Sequence, residues 1–441
     1  MVRTLRTGAI ASAAALCTLA WPADAQITDA RVSAVVDRIT PGLVALRHDL
    51  HRHPELSNRE TRTAAVVARE LRRLGLEVRE GIARTGVVGI LRGSRPGPVI
   101  AIRADMDALP VTEASALPYR SVLRTEYLGR ATGVSHACGH DVHVAVALGV
   151  AEVLAGERAQ VAGTVVFIFQ PAEEGAPPGE EGGALLMIKE GVLRDPPPAI
   201  FLALHTNGDP PEEVGDWEEL GKLSYTPGPQ LASATTWRAR IIGRQTHGAT
   251  PQLGIDAIVI GAQVVTSLQT IVSRTLAPFD PAVVTVGVFR AGDRHNIIAG
   301  FAELEGTVRT FDDSVTAVIE GRMRETIQGV TAAAGATFEL EFEETIPVTT
   351  NDTSLAARFR PVLERVVGRE NVGIVLPETS ADDFAYFSRR IPSFFFKLGA
   401  VPRGKVSGGH HTPSFLADDG AIPVGVRALT AVTLEALATA K

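Results

Sequence analysis

Apolar residues follow two spacings along this chain. Between residues 31 and 53 they recur every three to four positions and close in "RHDLHRHPEL", the spacing of an amphipathic helix. "RETRTAAVVARELRRLG" (59–75) repeats that pattern and stops at Gly75, as a helix ends at glycine. "VHVAVALGVAEVLAG" (142–156) predicts a further helix. Elsewhere the apolar residues run on without a polar face: "GVVGILRG" (86–93), "VIAIRADMD" (99–107), "TVVFIFQPAEEG" (164–175), "AIFLALHTNG" (199–208) and "SFFFKLGA" (393–400). Short β-branched and aromatic runs of this kind suit strands buried on both faces. Alternating with helices, they predict an α/β fold with a mixed, largely parallel sheet flanked by helices.

Four of these runs share an ending. They stop in Asp105 and Asp107, in Glu173 and Glu174, in His205, and, just beyond 393–400, in the "GGHHTPSF" that carries His410 and His411. In open parallel sheets, sites form beyond the carboxyl ends of the strands. One acid or imidazole there means little, but four such endings predict a convergent site.

Residues 228–345 follow another rhythm. "TTWRARIIGRQTHG", "AVVTVGVFRAG", "FAELEGTVRT" and "ATFELEFEET" predict strands, and two long amphipathic stretches between them predict helices. Four strands and two helices make one small α+β domain. The simplest organisation is an insertion that splits the main domain into residues 27–227 and 346–441, within what 441 residues allow.

Composition narrows the class. The chain carries a net charge of −7 and no long basic run, which argues against a nucleic-acid partner. Residues 1–25 combine Arg3 and Arg6, a small-apolar run and "ADA", the layout of a secretory signal cleaved after Ala25. The expected protein is periplasmic or secreted. The run is too short and alanine-rich for stable membrane insertion. Cleavage would remove Cys17 and leave Cys138 alone, with no intramolecular disulfide, which is unusual for an exported protein.

That cysteine lies in "HACGHDVH" (136–143). As a nucleophile it would need a base, which His140 could be, but Glu173, Glu174 and His205 would then have no purpose. A redox role lacks a second cysteine. Thiolate, imidazole and carboxylate together suit zinc or a neighbouring first-row metal. Cys138 and His140, two apart, can aim one way from an extended or loop backbone. One of Glu173 and Glu174 can bind metal while the other serves as general base toward water. His205 and one of His410 and His411 would complete a two-metal set, with Asp105 and Asp107 orienting imidazoles.

At these residues the chain resembles the zinc aminoacylase/carboxypeptidase family of metallopeptidases. The likeness is to its amidohydrolase branch of hippurate hydrolases, N-acyl-amino-acid amidohydrolases and indole-acetyl-amino-acid hydrolases. It runs from "RHDLHRHPEL" to "HTPSF" through "AIRADMDALPVTE", "HACGHDVH", "FIFQPAEEG", "SRTLAPFDPAVVTVG" and "AGDRHNIIAG". The resemblance implies two divalent ions per subunit (zinc, or manganese, cobalt or nickel) on Cys138, His140, Glu174, His205 and His411, with the adjacent His410 a rival. It implies Glu173 as general base and Asp107 as a supporting aspartate of the catalytic set. The inserted domain is similar to the family's lid and dimerisation domain, implying a homodimer or higher homo-oligomer. His247 of "GRQTHGATP" would then stand near the substrate carbonyl oxygen, and Asn296 and Arg309 near its carboxylate. The implied substrate is a small N-acyl or N-aroyl amino acid, or a short peptide if the chain is a carboxypeptidase or dipeptidase. An exported, non-catalytic binding protein is the distant alternative. "ADDF" (381–384) and "NIIAG" depart from the family's usual wording without removing a ligand or the base.

Overall fold

The computed structural model describes residues 27–210, 215–343 and 345–440, so the expected signal segment lies outside the described residues. The main sheet has eight strands: β1 (Glu77–Ile82), β2 (Gly86–Arg92), β3 (Arg95–Asp105), β4 (Ala162–Gln170), β5 (Ile200–Asn207), β6 (Leu223–Tyr225), β7 (Val372–Ile374) and β8 (Ser393–Gly399). Their order is β1-β2-β4-β3-β5-β8-β6-β7. The four central strands β4, β3, β5 and β8 are mutually parallel. β1 and β2 add an antiparallel edge, and β6 joins antiparallel to β8 on the other side.

The uninterrupted apolar runs follow from this placement. Ile100, Ile102, Phe167, Phe169, Leu202 and Leu204 point to one face, where they pack under α1 (Asp29–Arg52), α2 (Thr61–Arg73), α3 (His140–Gly156), α4 (Thr353–Val367) and α5 (Ala421–Thr439). The alternate residues Ala101, Val166, Ile168, Phe201 and Ala203 point to the opposite face and meet Met187, Phe384 and Phe387. With both faces covered, most buried positions of a central strand are apolar, and the cationic exceptions Arg103 and Lys397 are each answered by a carboxylate. Each large side chain so buried contributes roughly 1.5–3 kcal/mol. α3 is buried nearly all round, which explains its near lack of a polar stripe.

A second, four-stranded antiparallel sheet has the order Ala282–Ala291, Phe301–Thr310, Thr235–Ile242, Thr337–Phe342. Helices Ala257–Arg274 and Asp313–Ala333 cover one face around Trp237, Ile241, Leu304, Val264, Leu268 and Met323. Asp256 and Asp312 cap these helices by accepting backbone N–H bonds. Two features differ from the expectation. Gly228–Leu231, expected within the inserted unit, pairs with Thr349–Asn351, because Leu231 is buried in the main domain's core. A β-hairpin of Arg124–Tyr127 and Arg130–Gly133 stands where none was expected.

Candidate metal centre

The parallel strands deliver the predicted side chains to one end of the sheet. Asp105 ends β3 beside Gln170, which ends β4, and His205 on β5 lies beside Lys397 on β8. Cys138 and His140 flank Gly139, whose φ of +85° turns the chain into α3. A Cβ at Gly139 would stand 2.3 Å from Thr206 Oγ1, so only glycine fits that turn. Two non-glycine residues at the site also hold left-handed backbone: Ala172 (φ +53°), one residue before Glu173, and His411 (φ +60°). Each costs about 1–2 kcal/mol. Hydrogen bonds hold them there, from Ala172 N to Glu60 Oε1 (2.9 Å) and from His411 N to Ala137 O (2.8 Å).

The donor atoms converge. Single ligand atoms of Cys138, Glu174 and His411 lie within 4.8 Å of one another, as do those of His140, Glu173 and Glu174. Cys138 Sγ is 3.4 Å from His205 Nε2, and His411 Nε2 is 3.1 Å from Glu174 Oε1. His140 Nε2 stands 3.9 Å from a carboxylate oxygen of both Glu173 and Glu174. His140 Nδ1 donates to Asp107 O (2.8 Å), which turns Nε2 into the cluster. Asp107 Oδ2 in turn accepts from Glu174 N (3.0 Å) and Ser57 Oγ (2.8 Å). His205 Nδ1 donates to Thr206 O (2.7 Å), freeing Nε2 in the same way. His140 Nε2 and Glu174 Oε1 are buried without a hydrogen bond of proper geometry. Such orphans cost about 1–3 kcal/mol each unless a partner answers them. A first-row divalent cation fits both the orphans and the mixed thiolate, imidazole and carboxylate donors.

The structure also separates neighbours that the sequence left equivalent. His410 spends both ring nitrogens, on Asp209 Oδ1 (2.7 Å) and Thr206 O (3.1 Å), and so braces the backbone behind the cluster. It is His411 that faces Glu174. His143 is likewise committed: Nδ1 donates to Asp105 Oδ1 (2.5 Å) and Nε2 accepts from Thr206 N (2.8 Å). Thr206 Oγ1 then donates to Cys138 O (3.0 Å), tying β3, β5 and the cysteine loop together. His136 is buried with neither ring nitrogen hydrogen-bonded, and burial pushes its pKa down to about 4.

The charge balance favours a cation. Burial works against a charged His140, yet Asp105 and then Asp107 push its ring up to about 10. Burial, then the Glu174 and Glu173 charges, hold the Cys138 thiol well above its ordinary range. A catalytic thiolate needs the opposite surroundings, which argues against the nucleophile reading of Cys138. A bound cation reverses that balance and makes the thiol a ligand. Burial, then Asp382, also raises Glu173. Asp382 and Asp383, of the divergent "ADDF", bind Arg103 at 2.9 and 3.2 Å, and Arg103 also bonds Asp105 at 2.7 Å.

"RHDLHRHPEL" acquires a role that its spacing did not suggest. Arg47 is fully buried on α1. Its Nε donates to Asp141 Oδ2 (2.7 Å), next to His140, while its terminal nitrogens donate to Asp419 Oδ1 (2.9 Å), Ala417 O (3.1 Å) and Tyr119 Oη (2.6 Å). His51 Nδ1 shares the same Asp141 oxygen at 2.8 Å. One guanidinium thereby ties the helix that begins at His140 to the segment downstream of His411. Arg47→Met is expected to destabilise the fold by about 3–5 kcal/mol, because Asp141 stays buried without its main partner. Urea titration followed by circular dichroism measures this, and a loss under about 1 kcal/mol would contradict it.

Three predicted residues are not at the cluster. His247 is exposed in a two-residue pairing with Ile297, and Asn296 O accepts from Gly248 N (2.8 Å), so His247 and Asn296 are neighbours on the inserted unit. Arg309 lies half-buried opposite Val283, and burial lowers its pKa. Among the described residues, no hydrogen bond or ion pair joins any of the three to the cluster, and Arg309 has no anionic partner.

The family model described as peptidase family M20/M25/M40 matches residues 101–435, most of the chain. An N-acyl-L-amino acid amidohydrolase of Geobacillus stearothermophilus is 39% identical over 72% of this chain and 80% of its own length. Thermostable carboxypeptidase 2 of Saccharolobus solfataricus is 33% identical over 89% of this chain and 95% of its own. Among solved structures, a dinuclear metal-binding peptidase from Bacillus subtilis superposes with a TM-score of 0.74 at 31% identity, covering 91% of this chain and 99% of that one. With the ligand-type side chains gathered at the ends of its parallel strands, the chain belongs to peptidase family M20/M25/M40 and is a metal-dependent hydrolase of amide bonds.

Proposed function

We propose that this chain hydrolyses the amide bond of N-acyl and N-aroyl amino acids. The observation that carries the reading is the split character of the adjacent glutamates. Glu174 is fixed through its backbone by Asp107 and turns its carboxylate to His411 and Cys138. Glu173 lies 3.9 Å from His140 Nε2, makes no side-chain hydrogen bond among the described residues and has a pKa raised by burial and then by Asp382, as suits a group that accepts a proton. The relative from Geobacillus stearothermophilus named for N-acyl-L-amino acids supports the substrate class.

Cys138, His140, Glu174, His205 and His411 would hold two divalent ions. When bound, such ions supply Lewis-acid chemistry, polarising an amide carbonyl and acidifying water. Glu173 takes the proton from the attacking water and returns it to the leaving amine. Asp107 and the His143–Asp105–Thr206 brace keep the imidazoles and the cysteine loop in place. His247, on the lid, donates to the carbonyl oxygen as negative charge develops there. Arg309, half-buried without an anion, receives the substrate carboxylate beside Asn296. His247 is exposed, which suits a residue presented to the cluster of a partner subunit in a homodimer.

Carboxypeptidase or dipeptidase action is the second reading, favoured by the similarity to thermostable carboxypeptidase 2. A panel of N-acetyl and N-benzoyl amino acids run beside dipeptides on metal-loaded protein separates the two. Faster turnover of dipeptides than of every acyl amino acid would transfer the proposal to the second reading. The reading also includes export with cleavage after Ala25. N-terminal sequencing of protein recovered from its host tests it, and a mature chain that still begins at Met1 would refute it.

A further inference from the structure

The unexpected hairpin carries a feature that its fold does not require. Tyr127 pairs with Arg130 across a two-residue turn, Leu128–Gly129, with φ values of +49° and +74°. Such turns favour Asn-Gly, because both central residues need positive φ. Here a leucine takes the first place and leaves its side chain 66% exposed. A strained, exposed hydrophobe at a turn tip adds nothing to stability, so its reason lies in what it faces. Among the described residues, the hairpin's side chains and backbone are anchored near its base, by Thr132 Oγ1 to Pro110 O (2.8 Å), Gly133 N to Thr112 Oγ1 (3.0 Å) and Arg124 Nη1 to Thr112 Oγ1 (3.4 Å).

The tip faces a groove of about 480 Å3 walled by Leu109, Pro110, Tyr127, Leu128, Pro177 and Pro178. That volume lies in the range of roughly 300–1,000 Å3 usual for small-molecule sites. Glu174 forms part of the same wall, so the groove opens onto the candidate metal centre. Among its described lining residues no cation is free for an anion: Glu126 is acidic, and Arg59 is held by Glu180 at 2.6 and 3.1 Å. The carboxylate end of an acyl amino acid therefore has no partner here, whereas an apolar group leading away from the carbonyl does. Tyr127 is half-buried in that wall, and among the described residues its hydroxyl makes no hydrogen bond.

We infer that this groove receives the acyl group of the substrate, that its chemistry selects aromatic or medium-chain aliphatic acyl groups, and that Tyr127 and Leu128 determine which of them fit. The inference rests on the amidohydrolase reading above and adds to it the location and the selectivity of the acyl site.

The test compares N-acetyl, N-benzoyl and N-octanoyl derivatives of one amino acid, using metal-loaded full chain, wild type and the variants Tyr127→Ala and Leu128→Gly. Wild type is expected to prefer the larger acyl groups. In the variants, kcat/KM for benzoyl and octanoyl substrates is expected to fall about tenfold or more, mainly through KM, and that for acetyl to stay within about twofold. Leu128→Gly is also expected to unfold at the same or a higher temperature, because glycine adopts positive φ freely. A purely structural hairpin would instead lose stability and slow all three substrates alike. An equal fall on all three, no change on any, or a wild type that accepts only acetyl overturns the acyl site while leaving the amidohydrolase reading intact. A metal-loaded wild type that cleaves no acyl amino acid overturns that reading, and the acyl site with it.

Discussion

Glu173→Gln is expected to lower kcat/KM for acyl amino acids by about 10²–10⁴ while metal content stays at the wild-type level, the range lost when a positioned general base is removed. The geometry separates the two effects. Glu174, with Cys138 and His411, belongs to one group of mutually close donor atoms. Glu173 enters only the groups it shares with His140 and Glu174 or with Asp382 and Asp383. Glutamine keeps the volume of the side chain and removes its ability to take a proton. Nearby Asp382 and Asp383 already repel the Glu173 charge, so its loss relieves rather than strains the fold. Elemental analysis and steady-state kinetics on the same preparation check both halves. Activity within about tenfold of wild type would remove Glu173 from the role of base, and loss of metal along with activity would make it a ligand instead.

Stripping metal with a chelator is expected to abolish turnover and to lower the unfolding temperature, with both recovered on adding back zinc or manganese. The stabilisation follows from mass action: free ion at about 100 times its dissociation constant contributes about 2.7 kcal/mol per site. At about 2–4 °C per kcal/mol for a domain of this size, one site is worth several degrees. Against the burial that disfavours its charge, the carboxylates of Asp105, Asp107 and Glu174 drive the His140 ring up to about 10. Without a cation, that concentration of negative charge is answered by protons, by Arg103 at Asp105 and by hydrogen bonds to Asp107. Scanning calorimetry with and without chelator reads the shift. An unfolding temperature indifferent to metal, with turnover intact after exhaustive chelation, would contradict the centre.

Much of the fold was legible because of where its strands lie. β3, β4, β5 and β8 are covered on both sides, so each is mostly apolar through the core and turns polar toward its carboxyl end. Burial thus wrote both the strands and the site's position into the same stretches. β1 escaped notice because "EVREGI" lies at a sheet edge with no fully buried residue and shows no apolar run. The 124–133 hairpin escaped because its turn uses Leu128 where asparagine or glycine would have signalled it.

The sequence by itself determined the chemical kinds present: a cysteine among histidines at 136–143, two adjacent glutamates, and imidazoles and aspartates after apolar runs. Local spacing and burial pattern suffice for that, since each depends on a few neighbouring residues. Only the tertiary structure decided between partners distant in the chain. It turned His411 to Glu174 and gave both nitrogens of His410 to Asp209 and Thr206. It joined His143 to Asp105 and Arg47 to both Asp141 and Asp419. These contacts span from 38 to 372 positions along the chain. A histidine becomes a ligand or a brace according to which atoms the fold brings to its two nitrogens, and no run of adjacent residues contains that information.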